Sequence, residues 1–374
     1  MTSGPGTPRV LVNMLWCVPG GVGGSEEYLV RQVLGLSEQP GTRWQVTVAA
    51  ARGLTGAHPE MAAVAHMVEP AFESHGRARR IVGELTWLRS HTGDVDLVHH
   101  GGGTAPLLAH RPYVLTIHDL QFLTYPQYFS RLKRAYLGAV IPGSARRASV
   151  VTVPSDYVRD SVIRHYGIPA ERVMVVPHGI EPALASEITP EDELRSRYSL
   201  GDGPVVVYPA VTHPHKRHDF LLGLMQRQWR DPDLRLVFTG GRGLAHDEVA
   251  GGVASDPRVR HLGRVPAADR NGLLAMATAL VFPSQYEGFG APLIEAMTLG
   301  CPVVCGDATC MPGIVGEAGL VRPLDESAWT NALDEALRRR DELVVAGHRR
   351  AADFTSAASG AALVRAYDRA LGAA

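Results

Sequence analysis

The chain has 374 residues, of which 37 are Lys or Arg and 38 are Asp or Glu, so its formal net charge is −1. That length exceeds one ordinary core and suits two domains, and charges that nearly cancel leave no global field to attract nucleic acid. No apolar run is long enough to span a bilayer, and the first nine residues lack the charged and apolar regions of a signal peptide, so a cytoplasmic protein is expected.

In chain order, short apolar runs rich in β-branched residues at 10–15, 45–48, 97–99, 113–117, 150–153 and 173–176 read as strands. After the first comes a glycine turn, Gly20, Gly21, Gly23 and Gly24, then Ser25 as a plausible N-cap and a helix whose apolar face carries Leu29, Val30, Val33 and Leu34. Strands alternating with helices imply a mostly parallel sheet. Glu26 stands where a dinucleotide fingerprint needs its third glycine, no acid ends the second strand, and the Lys-Ser/Thr of a P-loop is missing. What remains is a turn into a helix N-terminus whose amides can face an acceptor or a diphosphate.

Between 77 and 89, Arg77, Arg79, Arg80 and Arg89 alternate with Ile81, Val82, Leu85, Trp87 and Leu88, the makings of one basic amphipathic helix. Such a helix serves either as a solvated face over a core or as a contact with anionic lipid. The cluster of Arg131, Lys133 and Arg134 near Tyr125, Tyr128, Phe129 and Tyr136 carries the same two readings. Asp94 and Asp96 precede a strand instead of ending one, which argues against a metal-nucleotide site. His118 ends a strand and is followed by Asp119, a candidate cap for the next turn.

Residues 179–203 mix prolines, acids and a short helical candidate at 191–198, which fits a connection. The expected division is 1–185 and 186–357. The second half repeats the plan, with strands at 205–207, 234–238, 259–262, 279–282, 302–304 and 320–321 and a last helix near 359–371. Lys216, beside Arg217, follows the first of these strands and can offset charge growing on a leaving diphosphate. His213, His215 and His218 are dense, and Cys301, Cys305 and Cys310 are near one another, yet neither spacing matches a zinc motif, so no metal is expected. Those cysteines and Cys17 are too few for a disulfide framework and read as reduced thiols.

The most informative stretch is 283–300. A buried strand runs into Gly288 and Gly290, Pro292 sits where a first helical turn accepts proline, Leu293, Ile294 and Met297 fall at helical spacing, and Gly300 ends the helix. The glycines admit a ligand to the backbone, and amides and helix dipole point at one anionic group. Glu287 and Glu295 add carboxylates that accept hydrogen bonds from hydroxyls. Diphosphate beside hydroxyls suggests a sugar nucleotide.

Glu287 and Glu295, with Gly288, Phe289 and Gly290 between them, resemble the E-x7-E signature of retaining glycosyltransferases of family 4. The likeness extends to the 20–24 glycines and to 116–120, 153–157, 176–180 and 208–216. It implies an α/β GT-B fold, two Rossmann-like doubly wound domains facing across a cleft, with a C-terminal helix at 358–374 packed back on the first. It implies transfer of a mannose- or glucose-type hexose from a nucleoside diphosphate sugar to a hydroxyl of a glycan, lipid-linked or small-molecule acceptor, with retention and without a metal or cofactor. Lys216, Glu287 and His118 would be catalytic, with Phe289, Gly288, Gly290, Glu295 and Arg217 on the donor and Gly21, Gly23 and Gly24 on the acceptor or diphosphate. The chain departs from many members in carrying His215 and Ala210 where they have a second phosphate-binding arginine. Base contacts are expected largely from backbone, including the 263–266 loop. A sugar-nucleotide epimerase or synthase and a noncatalytic binder are the rival readings. Peripheral contact with the inner membrane face, the nucleotide base and the oligomeric state stay open.

Overall fold

The structure is a computed structural model that describes residues 7–21, 23–39, 41, 44–73, 76–109, 112–180 and 182–372, without side chains at 77, 182 and 183. Two compact units divide it, Met1–Gly179 with Ser356–Ala374, and Ile180–Thr355.

In the first unit the strands are β1 (Arg9–Met14), β2 (Gln45–Ala50), β3 (His66–Val68), β4 (Leu97–His100), β5 (Tyr113–Thr116), β6 (Val150–Val153) and β7 (Val173–Val175). They form a parallel sheet in the order β3-β2-β1-β4-β5-β6-β7. Because both faces are covered, β1, β4, β5 and β6 are nearly continuous apolar runs, which is why they are legible as strands. Val10, Val12 and Leu97 face one core cluster, while Leu11, Val98 and Leu115 face the other. The chain order reverses between β1 and β4, the switch point at which such sheets bind ligands beyond the carboxyl ends of their strands.

Three local expectations need correction. The first helix, Gly24–Ser37, starts one residue before Ser25 and is capped at Gly23, whose φ of 63° suits glycine and which makes no side-chain cap. The basic stripe is two helices, Arg77–Leu85 and Trp87–Ser90, broken at Thr86 with φ −113° and ψ −76°. β3 has no counterpart in the sequence reading, since three residues beginning with His carry too little apolar pattern.

The helix Ser356–Ala370 lies against Gly24–Ser37 at backbone distance: a Cβ on Gly360 would sit 2.0 Å from the Gly35 oxygen, and one on Gly35 would sit 2.1 Å from the Ser356 oxygen. Gln39 Nε2 donates to the Ala357 carbonyl at 2.7 Å and Trp44 Nε1 to Asp368 Oδ1 at 3.2 Å. The Tyr367 hydroxyl meets His99 Nδ1 at 2.9 Å, and His99 Nε2 meets Thr116 Oγ1 at 2.7 Å. Burial lowers the His99 pKa to about 3, so the ring is neutral and its two nitrogens take one donor and one acceptor role.

The second unit carries β8 (Val205–Pro209), β9 (Arg235–Thr239), β10 (Val259–His261), β11 (Ala279–Phe282), β12 (Val303–Gly306) and β13 (Leu320–Arg322), parallel in the order β10-β9-β8-β11-β12-β13. Its switch point lies between β8 and β11, so the loops after these two strands share one edge. The helix Glu191–Tyr198 anchors the unit's entry: Asp269 Oδ2 is paired with Arg197 at 2.6 Å, and Thr189 Oγ1 donates to Asp269 Oδ1 at 2.6 Å.

Candidate functional site

In the second unit, Pro214–Lys216 forms a 3-10 turn after β8, and Arg217 then takes a left-handed conformation with φ 56° before the helix His218–Arg227. The turn is tied to the loop after β11. Gln285 N–H donates to the His215 carbonyl at 2.8 Å, while the buried Tyr208 hydroxyl donates to the Lys216 carbonyl at 2.7 Å and meets Ser284 Oγ at 3.0 Å. These bonds fix the Lys216 backbone, and its ammonium reaches Glu287 Oε1 at 2.6 Å. Glu287 is itself held through its backbone, its N–H donating to Thr309 Oγ1 at 3.1 Å and its carbonyl accepting from Cys310 Sγ at 3.3 Å.

Gly290, with φ 83°, caps the helix Ala291–Thr298, and Pro292 lies in its first turn. The Phe289 ring is buried and meets the Phe354 ring edge-on at 5.5 Å, so its contribution to a ligand comes from the backbone. Glu295 is buried in the same helix. The structure therefore brings Lys216, Glu287, Gly288, Phe289 and Gly290 together at one sheet edge. Arg217 is directed elsewhere: its Nε lies 3.0 Å from Asp219 Oδ1, and the guanidinium stands 5.8 Å from the Phe220 ring centre.

Two histidines of this loop, His215 and His218, are held neutral. Burial, followed by the neighbouring Lys216 charge, lowers the His215 pKa to about 3, and burial lowers His218 likewise to about 3. Among the described residues, no group of three or more His, Cys, Asp or Glu is placed to hold a metal ion. All four cysteines are free and buried. Burial raises the thiol pKa of Cys301 and Cys305 to about 12 and pushes Cys17 and Cys310 higher still, so none is a ready thiolate.

In the first unit, His118 follows β5, and its Nε2 lies 2.8 Å from the Gly101 carbonyl, which makes that nitrogen the donor. Trp16 and Tyr28 rings flank it at 5.5 Å and 5.4 Å, and burial lowers its pKa. Asp119 caps the next turn, accepting from Gln121 N–H at 2.9 Å. Gly21 N–H turns back to the Val18 carbonyl at 2.9 Å, Gly23 and Gly24 are exposed, and Val22 lies outside the described residues.

The glycine turn has a support that sequence reasoning missed. The buried Glu26 carboxylate accepts from Gly20 N–H at 2.9 Å and meets His58 Nε2 at 2.9 Å, and His58 Nδ1 meets Glu60 at 3.2 Å. Burial pulls the His58 pKa down, but the bonds to Glu26 and Glu60 outweigh it and the net shift is upward. No spacing signal links residues 26 and 58, so only the fold reveals the pair.

Comparison with known proteins places this geometry. A model of "Glycosyltransferase Family 4" matches residues 22–184, and one of "Glycosyl transferases group 1" matches residues 203–339. Among curated relatives, the chain is 32% identical to O-antigen chain mannosyltransferase B of Escherichia coli, over 60% of this chain and 61% of that one. It is also 32% identical to a GDP-mannose-dependent alpha-(1-6)-phosphatidylinositol monomannoside mannosyltransferase of Mycolicibacterium smegmatis, over 55% of this chain and 58% of that one. The match spans about three fifths of the length of these relatives. Among solved structures, Anabaena HepE in complex with UDP and glucose superimposes with a TM-score of 0.74 at 18% identity, covering 96% of this chain and 99% of that one. Sucrose-phosphate synthase from Thermosynechococcus elongatus gives 0.75 at 19% identity, covering 98% and 100%. The likeness at such low identity establishes the fold, which is GT-B. Matched by the family 4 model over 22–184 and by the glycosyl transferases group 1 model over 203–339, the chain belongs to the glycosyltransferases of family 4.

Proposed function

We propose that the chain is a retaining, metal-independent glycosyltransferase that moves a hexose of mannose or glucose type from a nucleoside diphosphate sugar to a hydroxyl of a glycan, lipid-linked or small-molecule acceptor. The observation that carries this reading is the Lys216 to Glu287 contact of 2.6 Å beside the Gly288–Gly290 turn and the N-terminus of a helix. A cation, backbone amides and a carboxylate then converge where a diphosphate meets a sugar. Relatives support the donor class, since one is GDP-mannose-dependent and Anabaena HepE was solved with UDP and with UDP-glucose.

In this reading Lys216 and the amides of Phe289 and Gly290 take the diphosphate, Glu287 the sugar hydroxyls and Glu295 the ribose. His118 and the amides of Gly23 and Gly24 serve the acceptor or the diphosphate, while the Gly21 amide is engaged with the Val18 carbonyl and contributes only the turn. The anomeric carbon loses its bond to the leaving phosphate oxygen and gains one to the acceptor oxygen on the same face. The acceptor proton passes to the leaving phosphate, which accounts for the lack of a dedicated base. Arg217 is engaged with Asp219, which favours Lys216 as the principal phosphate cation.

The first-unit surface supports a peripheral lipid contact as well, because Val82 and Leu85 are 58% and 42% exposed on the Arg77–Leu85 helix beside Arg79 and Arg80. Binding to anionic vesicles that survives Arg79→Glu with Arg80→Glu would remove this contact from the proposal.

The deciding experiment screens GDP-, UDP-, dTDP- and ADP-sugars by thermal shift, then follows nucleotide release with and without acceptor in chelator. Acceptor-dependent release and an α-product from an α-donor are expected. Equal release without acceptor would indicate an epimerase, and stabilisation without release a binder.

A further inference from the structure

A cavity lies in the first unit, on the sheet face of Leu11, Val98 and Leu115 and away from the His99 face. It encloses about 210 Å³ between the helices Arg77–Leu85 and Trp87–Ser90 and the segment after β4. Leu88, Val98, Pro106, Leu108 and Ala109 give it apolar walls, Arg89 and Thr92 also line it, and its floor is polar.

Three side chains build that floor. Asn13 Oδ1 accepts from Leu15 N–H at 3.2 Å, which fixes the amide so that Nδ2 points at Glu84 Oε1, 3.2 Å away, and at His100 Nδ1, 3.1 Å away. His100 Nδ1 is thereby an acceptor, and the ring's proton resides on Nε2. The Tyr113 ring, edge-on at 5.4 Å, holds the imidazole plane. Glu84 and His100 are 7% and 2% exposed, and both line the cavity. The contacts of Glu84 with Asn13 and with Arg80, the latter at 3.9 Å, are both made through Oε1. Neither Glu84 Oε2 nor His100 Nε2 has a hydrogen-bond partner among the described residues. A carboxylate oxygen and an imidazole N–H, oriented by the same Asn13 amide, thus both line the chamber with their hydrogen-bonding capacity turned to a ligand.

We propose that this cavity is a binding site for a small uncharged alcohol, a hydroxyl borne on an apolar ring or short branched body. A hydroxyl donates to Glu84 Oε2 while accepting from His100 Nε2–H, and the apolar walls take the rest. A ligand carboxylate would face the Glu84 carboxyl, and an ammonium would oppose the imidazole N–H with another donor. Burial lowers the His100 pKa to about 3 and raises that of Glu84, so the floor disfavours charge. The alcohol is either the aglycone part of an acceptor or a separate effector, and the two share this chemistry.

Cyclohexanol is the probe, followed by saturation-transfer NMR and by crystals grown with it, beside cyclohexylamine and cyclohexanecarboxylate. Density in the cavity with the hydroxyl between Glu84 and His100 is expected, and at least about tenfold weaker binding of both charged analogues. Glu84→Gln, which turns an amide N–H₂ toward the hydroxyl donor, should weaken binding by about tenfold. Ala109→Trp, at the half-buried rim, should abolish it without touching the floor, and Leu132→Ser elsewhere on the unit should leave it unchanged. An empty or water-filled cavity in the wild-type crystals, or binding indifferent to Ala109→Trp, would overturn the proposal. The binding arm does not depend on glycosyl transfer. With turnover in hand, a rise in acceptor KM at constant kcat assigns the site to the acceptor, and an unchanged acceptor KM assigns it to an effector.

Discussion

Lys216 and Glu287 hold each other at 2.6 Å with side chains 18% and 12% exposed, so each is the other's main charge partner before any ligand arrives. Removing one leaves the other uncompensated in a partly desolvated place, which costs more than losing a surface pair. If both serve donor binding, Lys216→Ala should lower turnover by about 100-fold or more, and the double variant with Glu287→Ala should fall well short of the product of the single losses. Rates of nucleotide release for the four proteins of that cycle check this. His58 makes a second prediction. Its pKa lies above the ordinary 6.5, so its contribution to stability is complete below that pH and is lost as pH rises through the folded value. Glu26 and Glu60 touch it and Glu27 lies near. Urea midpoints measured across pH 5 to 9 should therefore fall more steeply in the wild type than in His58→Gln. At this scale the sequence was legible where residues were consecutive, as at 287–290, and opaque where they were not. Thr309 beneath Glu287, and the bonds from Asn13 to Glu84 and His100, join positions separated by 22 or more residues, and a single sequence carries no period that links them.

Among elements, the helices Gly24–Ser37 and Ser356–Ala370 meet backbone to backbone. Glycines at 35 and 360 allow that approach, and Gln39 ties the pair together by donating to the Gly35 and Ala357 carbonyls at 3.0 Å and 2.7 Å. Gly360→Ala should force the helices apart and cost about 1–3 kcal/mol, seen as a lower denaturant midpoint, although alanine improves helix propensity. Strands of the two sheets were legible because burial on both faces leaves unbroken apolar runs, as in β6 and β11. The basic stripe misled because periodicity persists through Thr86 while the backbone does not. Arg79, Val82, Leu85 and Arg89 are exposed, but Leu88 is buried and Glu84 turns inward to Asn13, directions that charge counting does not foresee.

For the whole molecule, the two units differ in how they use the chain. Ile180–Thr355 is one continuous segment, whereas the first unit needs residues from both ends, with Tyr367 and Leu363 in its core. A chain ending at Thr355 should therefore expose the apolar side of Gly24–Ser37 and destabilise the first unit, leaving the second intact. Limited proteolysis of such a protein should yield a resistant fragment near 180–355, and equal resistance of the first unit would contradict the prediction.

That discontinuity also sets an order of events during synthesis. A ribosome makes β1 to β7 first, yet the hydroxyl that meets His99 and the helix that covers Gly35 emerge only after the whole of Ile180–Thr355 has been made. The later-made lobe can finish maturing while the earlier one waits with an uncovered flank, and this interval is where chaperone capture of the nascent polypeptide should be greatest.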